Sequence, residues 1–212
     1  MLVTSEGILN SMTWIKTVSL ERATGRLKKE FEAAIGRAGR VFNIVSAQSL
    51  NPRVLHASLN LYKTVMLGSS SLSRVEREMI AVVVSKTAGC VYWTEAHGEY
   101  LRQLTHDDRL VRLIKIDYRM LLLEDRVRSM LDFAVQVTRE VHSINRLTIE
   151  ELRAKGLSDE DILNVVQVAG FFSYYTRLAD ALGVEPEPSA PAKVHQGWVG
   201  EDQADPAPEK VE

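Results

Sequence analysis

Residues 72–104 constrain the fold most, because they carry the signals for two helices in succession. They read LSRVEREMIAVVVSKTAGCVYWTEAHGEYLRQL. Ser73 and Glu76 match a capping box, in which each side chain accepts a hydrogen bond from the backbone N–H of the other residue. Apolar residues follow at helical spacing, and Gly89 predicts the end of this first helix. The pattern therefore predicts a helical hairpin whose second helix begins at about Cys90.

Cys90, the only cysteine of the chain, lies at the predicted start of the second helix. The positive end of a helix dipole favours a thiolate, so we expect the pKa of this thiol to be lowered. His97 follows seven residues later on the same face, with Trp93 between the two. If Glu78 approaches from the first helix, these side chains predict a nucleophilic thiol with a proton relay.

Glu78, eleven residues and then Cys90-x-x-Trp93-x-x-x-His97 resemble the motif E-x(11)-C-x-x-C-x-x-x-H of the alkylhydroperoxidase D and carboxymuconolactone decarboxylase superfamily. The segments NPRVLHASLNLYKTVMLG and FFSYYTRLADALGV are similar to its branch of uncharacterised peroxidase-related proteins. The resemblance covers roughly residues 15–185. It implies an all-α, alkylhydroperoxidase-like helical bundle, a homo-oligomer and an antioxidant oxidoreductase. It also implies catalytic roles for Cys90, His97 and Glu78.

The chain departs from this motif at the second cysteine, which is replaced by Trp93. In the family that cysteine attacks the peroxide and the first one resolves the product into a disulfide, so Cys90 matches the resolving position. Tyr92 stands where some members carry a histidine. A peroxidase of this kind would use one cysteine and need an external thiol reductant. The alternative is a non-redox member: a small-molecule binder, a lactone decarboxylase that needs no cysteine pair, or an inactive oligomer.

Each candidate residue also has a structural interpretation. Under the structural interpretation, Cys90 is a small buried core residue rather than a nucleophile. Under the same interpretation, His97 and Glu78 form a buried pair that joins two helices, or Glu78 forms a surface ion pair with Arg74 or another neighbour. Trp93 either fills the core or forms a pocket wall, and Tyr92 is the second pocket candidate. The exposure of the Cys90 thiol separates the redox from the non-redox hypothesis.

Hydrophobic periodicity along the rest of the chain predicts about eight helices and no strand. We expect an N-terminal arm over residues 1–16 and one helical domain over residues 17–184. Residues 185–212 contain five of the six prolines among acidic and small residues, which is typical of a flexible tail. Trp198 is its one large aromatic residue, so docking of the tail on the domain or on a neighbouring subunit is expected there.

Charge and composition exclude several classes of function. The chain has 26 basic and 28 acidic residues and a net charge of −2, which gives no basis for binding nucleic acid or an anionic membrane. Its longest apolar runs, such as residues 79–84, are too short to span a bilayer, and no secretory signal is evident.

A single cysteine excludes an internal disulfide and fits the reducing environment of the cytoplasm. The histidines show no ligand spacing, so we expect no metal and no cofactor. The expected partner is a hydroperoxide or another small molecule.

Overall fold

The computed structural model describes residues 12–187, most of which lie in nine α-helices. The helices are α1 (Gly25–Ala38), α2 (Asn43–Ala47), α3 (Pro52–Tyr62), α4 (Arg74–Thr87), α5 (Val91–Thr105), α6 (Asp108–Asp117), α7 (Asp125–Arg139), α8 (Arg146–Ala154) and α9 (Asp159–Ala181). A π-helical turn, Lys63–Leu67, continues α3. No strand occurs in this part of the chain, which confirms the all-α prediction. None of its helices is both long and apolar enough to cross a membrane.

Helix α4 lies at the centre and contacts α5, α6, α7 and α9. The predicted capping box begins it: Glu76 N–H donates to Ser73 Oγ at 3.2 Å, and Ser73 N–H donates to Glu76 Oε2 at 2.8 Å. Every side chain from Arg77 to Ser85 is buried. Because this helix is covered on all sides, its run of valines packs in a helix despite a local preference for strand.

The turn between α4 and α5 fixes the position of Cys90. Gly89 has a φ of +80°, a conformation that glycine adopts without steric cost. Its N–H donates to Lys86 O at 3.1 Å, and the Cys90 N–H donates to Ser85 O at 3.0 Å. These two bonds form a Schellman motif. Cys90 is then the N-cap residue of α5, and its carbonyl oxygen accepts from Thr94 Oγ1 at 2.6 Å.

The two ends of the described chain pack together beside the C-terminal end of α9. The Trp14 N–H donates to Leu182 O at 2.8 Å, and the Glu185 N–H donates to Met12 O at 3.1 Å. Residues 12–14 of the predicted arm therefore contact the helical domain directly. Residues 185–187, placed in the flexible tail by composition, make specific contacts that are described below. The remainder of the predicted arm and tail, including Trp198, lies outside the described residues.

Candidate functional site

A buried ion pair joins the two helices of the hairpin. Helix α4 carries Arg74 and Glu78 one turn apart, and α5 brings His97 to the same carboxylate. Glu78 Oε1 accepts from Arg74 Nε at 2.7 Å, and Glu78 Oε2 lies 2.5 Å from His97 Nδ1. Glu78 and His97 are both fully excluded from solvent. The predicted pairing of Glu78 with His97 is thus present, and Arg74 joins it.

The charges of this cluster fix its protonation. Burial alone would raise the pKa of the Glu78 carboxyl, but His97 and Arg74 together outweigh it and hold the pKa below its usual range. Glu78 is therefore a carboxylate at neutral pH, and His97 Nδ1 donates to it. Among the described residues no group hydrogen-bonds His97 Nε2, which is also buried. Nε2 is consequently the atom of this cluster whose hydrogen-bonding capacity is not used within the described residues.

Aromatic rings enclose the imidazole of His97. The ring centroid of Phe172 lies 4.5 Å from that of His97, and those of Tyr100 and Trp93 lie at 5.3 and 5.4 Å. Tyr62 approaches edge-on at 6.3 Å. This apolar surround strengthens the interaction of His97 with Glu78, because charges attract more strongly where water is excluded.

The structure contradicts the prediction of a favoured thiolate at Cys90. The side chain is 1% exposed, and burial raises the pKa of its thiol to about 12. The neighbouring Asp180 raises it further, whereas the backbone N–H groups of Trp93 and Tyr92 lower it only in part. The start of α5 does favour a thiolate, but the cost of burying the charge is larger at this position.

Cys90 and His97 are not hydrogen-bonded to each other. Nδ1 of the imidazole is taken by Glu78, and Nε2 has no hydrogen-bond partner within residues 12–187. The three predicted catalytic residues therefore lie on one hairpin, but only two of them form a connected pair. In the same part of the chain, no three His, Cys, Asp or Glu side chains are grouped so that they could hold a metal ion.

A cavity of about 460 Å³ lies beside the hairpin, and neither Cys90 nor His97 lines it. Its wall combines aromatic and charged side chains. The aromatic side chains that line it are Phe42, Tyr62, Tyr92, Trp93, Tyr100 and Tyr175. Charged side chains also line it, namely Arg37, Arg40, Lys63, Glu95, Glu99, Arg102 and Glu187. Both pocket candidates from the sequence, Tyr92 and Trp93, are among these residues.

Trp93 separates the cavity from the core. Its indole N–H donates to the carbonyl oxygen of Tyr175 at 3.0 Å, and the side chain is 8% exposed. One side of the ring packs on His97 and Phe172, and the residue also lines the cavity. Trp93 is therefore both a core residue and part of the cavity wall. The two interpretations from the sequence, a residue that fills the core and a residue that forms a pocket wall, both apply.

The sequence indicated Arg74 as a surface partner of Glu78; the ion pair is present, but Glu78 is buried. Three further residues of this region had not been predicted. Of these, Tyr100 had a signal, since it lies three residues after His97 and seven after Trp93 on α5. Tyr62 reaches the site from another helix, and Glu187 reaches it from the end of the described chain. No spacing in the sequence indicates those two long-range approaches.

Two solved structures of peroxidase-related proteins resemble this fold over most of their length. An uncharacterised peroxidase-related protein from Silicibacter sp. TM1040 is 36% identical, with a TM-score of 0.77, covering 86% of this chain and 96% of that one. A second one, from Ralstonia eutropha JMP134 and described as an alkylhydroperoxidase AhpD core, is 27% identical with a TM-score of 0.78, covering 84% and 94%. The sequence pattern of the carboxymuconolactone decarboxylase family matches residues 52–113.

This chain belongs to the alkylhydroperoxidase D and carboxymuconolactone decarboxylase superfamily. The likeness to a solved peroxidase-related structure extends over most of both chains, so the membership applies to the whole helical domain. No curated protein matches the sequence. A more distant member of the same fold is the debrominase Bmp8 in complex with 2,3,4-tribromopyrrole, which is 17% identical with a TM-score of 0.70 and covers 84% of this chain and 94% of that one.

Proposed function

We propose that this superfamily member binds a small aromatic molecule in its cavity and does not reduce peroxides through Cys90. The observation that carries the proposal is the separation of the thiol from the cavity. Cys90 is 1% exposed, does not line the cavity and has a thiol whose pKa is raised to about 12. A nucleophilic thiol instead needs a populated thiolate and access for its substrate.

The cavity has the size and lining that suit such a ligand. Its volume of about 460 Å³ falls in the range of small-molecule sites, which are typically apolar with a few polar groups. Aromatic side chains attract flat aromatic ligands through stacked and edge-on contacts. The debrominase that shares this fold was crystallised with a small aromatic heterocycle, which supports the same class of ligand.

In this proposal the buried cluster positions the cavity wall. Glu78 holds His97, and His97 packs on the rings of Trp93 and Tyr100, which both line the cavity. His97 is therefore a positioning residue: it acts on the ligand through its neighbours. Its Nε2 atom lies behind that wall, so acid–base chemistry on the ligand would require the wall to open.

A one-cysteine peroxidase is the second candidate, and the intact His97–Glu78 pair is the observation in its favour. The Cys90 thiolate would attack a peroxide oxygen, the O–O bond would break, and the cysteine would become a sulfenic acid. His97 would protonate the departing alkoxide to give an alcohol. An external thiol would then supply the two electrons that return the sulfenic acid to the thiol, with release of water.

Ligand binding tests the first candidate. We would titrate the protein with 2-naphthol by isothermal calorimetry, and compare Ala96→Phe with Ala88→Phe. Ala96 lines the cavity, so a phenyl ring there takes up part of its space, whereas Ala88 is exposed and lies outside the lining. Binding that persists in Ala88→Phe and is clearly weaker in Ala96→Phe supports the proposal. Equal affinities in the two variants would count against this cavity as the site.

Peroxide oxidation tests the second candidate. We would follow oxidation of Cys90 by hydrogen peroxide and by cumene hydroperoxide with mass spectrometry, using Cys90→Ser and His97→Ala as controls. The non-redox proposal predicts a rate no faster than that of free glutathione. Fast, saturating oxidation that slows in His97→Ala would establish the one-cysteine peroxidase instead.

A further inference from the structure

The end of the described chain forms part of the cavity wall. We call residues 185–187 the strap. The Glu185 N–H donates to Met12 O at 3.1 Å, and the Glu185 carbonyl oxygen accepts from Asn43 Nδ2 at 2.8 Å. Pro186 and Glu187 then line the cavity. The strap is therefore fixed at Glu185, and its other two residues contribute to the cavity wall.

Glu187 places a carboxylate on two converging donors. Its Oε1 atom accepts from the Tyr92 hydroxyl at 2.8 Å and from the Asn43 backbone N–H at 2.7 Å. Tyr92 is 5% exposed, and burial together with the Glu187 carboxylate raises the pKa of its hydroxyl well above the usual range. The hydroxyl consequently stays protonated and remains a donor at neutral pH.

We infer that the Tyr92 hydroxyl and the Asn43 N–H form a carboxylate subsite of the cavity, which the chain's own Glu187 occupies as an internal competitor. This inference rests on the proposed function and specifies its ligand as a small aromatic carboxylate. The ligand carboxylate takes the place of the Glu187 carboxylate on both donors. Its ring lies along the aromatic wall that begins at Tyr92 and Trp93.

The charges around the cavity fit an anionic ligand. Two of its acidic side chains are already paired at the protein surface, Glu99 with Arg102 at 2.7 Å and Glu95 with Lys115 at 2.6 Å. Arg37, Arg40 and Lys63 also line the cavity, so its lining has four basic side chains and three acidic ones. A ligand carboxylate that takes the place of the Glu187 carboxylate keeps a negative charge next to these basic side chains.

The strap can release Glu187 without losing its own attachment. The bonds to Met12 and Asn43 Nδ2 involve only the backbone of Glu185, so they persist when the Glu187 side chain moves away. Displacement then costs the two hydrogen bonds of Glu187 and returns two equivalent bonds to the ligand. The strap thus sets the ligand affinity without closing the cavity permanently.

Two probes of matched shape, one anionic and one neutral, show whether the charge of the ligand determines its affinity. We would titrate the full chain with 2-naphthoate and with the neutral 2-naphthamide by calorimetry. The variants are Glu187→Ala, the matched strap control Glu185→Ala, which keeps the backbone bonds, and Tyr92→Phe. Glu187→Ala should increase the affinity for naphthoate at least tenfold and change that for naphthamide less than threefold. Tyr92→Phe in the Glu187→Ala background should lower naphthoate affinity about tenfold, as expected for loss of a hydrogen bond to a charged group.

The outcomes distinguish this inference from the proposed function. If naphthamide binds but Glu187→Ala leaves naphthoate affinity unchanged, the carboxylate subsite is wrong and the aromatic cavity stands. If Glu185→Ala increases naphthoate affinity as much as Glu187→Ala does, the effect is a general loss of negative charge, and the subsite is again wrong. If neither probe binds any variant, the proposed function fails together with the subsite.

Discussion

Nδ1 of His97 lies 2.5 Å from Oε2 of Glu78, and both side chains are completely buried. This bond connects α5 to α4 at the centre of the domain. A buried charge is costly unless it is paired and hydrogen-bonded, and Glu78 meets that condition only because Arg74 holds its other oxygen. The pair therefore determines how closely the two helices of the hairpin pack.

Glu78→Gln should destabilise the domain strongly. The substitution removes the negative charge beside Arg74 and replaces one of the two acceptor oxygens with an NH2 group, so Arg74 and His97 are left with a single acceptor oxygen in a buried site. Removing one partner of a buried pair typically costs about 3–5 kcal/mol. We expect a loss of about 3 kcal/mol in the free energy of unfolding, because Arg74 is partly exposed and regains some hydration. Urea denaturation of both proteins, followed by circular dichroism, measures this difference in unfolding free energy.

Glu95→Gln provides the matched control for that experiment. Glu95 is bonded to Lys115 at 2.6 Å, but its side chain is 57% exposed. Exposed pairs contribute about 0–1 kcal/mol, so this variant should lose less than about 1 kcal/mol. A loss in Glu78→Gln that is as small as in Glu95→Gln would contradict the structural role of the buried pair.

Acid should remove the contribution of Glu78 to stability. The pKa of Glu78 in the folded protein lies below the ordinary value of 4.5, so the unfolded chain binds the proton first as the pH falls. The stabilisation is complete above about pH 5 and is lost as the pH drops through the folded-state pKa. We therefore expect the difference in unfolding free energy between the natural chain and Glu78→Gln to shrink between pH 6 and pH 3.

That difference isolates Glu78 from other carboxylates with lowered pKa values. Those groups are Glu21, whose pKa is lowered by a hydrogen bond with Ser19, and four carboxylates beside an arginine, namely Glu99, Asp117, Asp159 and Asp161. They are present in both proteins, and their effect on the pH profile cancels in the comparison. A difference that stays constant down to pH 3 would show that Glu78 does not carry a lowered pKa.

The helices around the hairpin were predictable because their signals are local. Ser73 with Glu76 caps α4 as predicted. Asn51 before Pro52 and Ser158 with Asp161 are further sequence signals for a helix start, and both cap helices in the structure. The spacing of Thr148 and Glu151 also matches a capping box and predicts that α8 starts at Thr148, but Asn145 caps it. Asn145 forms a capping box with Thr148 as its third helical residue, so the helix begins three residues earlier. Two overlapping cap signals cannot be ranked without the packing of the helix.

The electrostatics of the site were less predictable. The position of Cys90 at the start of α5 was correct, yet the conclusion about its pKa was wrong. The dipole is a property of the helix itself, whereas burial depends on α9 and on Trp93, which come together only in the folded chain. The approach of Glu187 to Tyr92 across 95 positions has the same origin. Local spacing therefore predicts which residues share a face but does not predict what covers that face.

Cys90 should react slowly with alkylating reagents. A thiol with a pKa of about 12 is ionised in only about one molecule in ten thousand at pH 8, whereas an ordinary thiol is about one-quarter ionised. We expect iodoacetamide to modify Cys90 at least a hundredfold more slowly than glutathione at pH 8. The rate should rise about tenfold per pH unit between pH 7 and pH 10, as mass spectrometry would show.

Denaturation is the control for this measurement. In 6 M guanidinium chloride the thiol is solvated and should react at the rate of glutathione, which shows that the slow reaction is a property of the fold. A folded-state rate that levels off near neutral pH would mean that Cys90 carries a thiolate, and would favour the peroxidase over the non-redox proposal.

Gly183→Ala should detach the N-terminal segment from the end of α9. Gly183 has a φ of +59°, and a Cβ atom built on it would lie 2.1 Å from Cε2 of Trp14. The substitution therefore adds a steric clash to the cost of a left-handed backbone, which is about 1–2 kcal/mol for a residue other than glycine. Gly39→Ala is the matched control, since Gly39 has a φ of +73° with no atom within 4 Å of its Cβ position.

Overpacking in a core typically costs about 1–3 kcal/mol, but Trp14 is 78% exposed and its ring can move away. We therefore expect Gly183→Ala to lower the unfolding free energy by about 1 kcal/mol more than Gly39→Ala. In a Trp14→Ala background the two alanine substitutions should cost the same, since only the backbone strain remains. Equal losses in the natural background would show that Trp14 does not pack on Gly183.

The contact between Trp14 and Gly183 also affects the cavity, because Met12, two residues before Trp14, is hydrogen-bonded to Glu185 at the base of the strap. Gly183→Ala should therefore loosen Glu187 and increase the affinity for 2-naphthoate in the direction of Glu187→Ala.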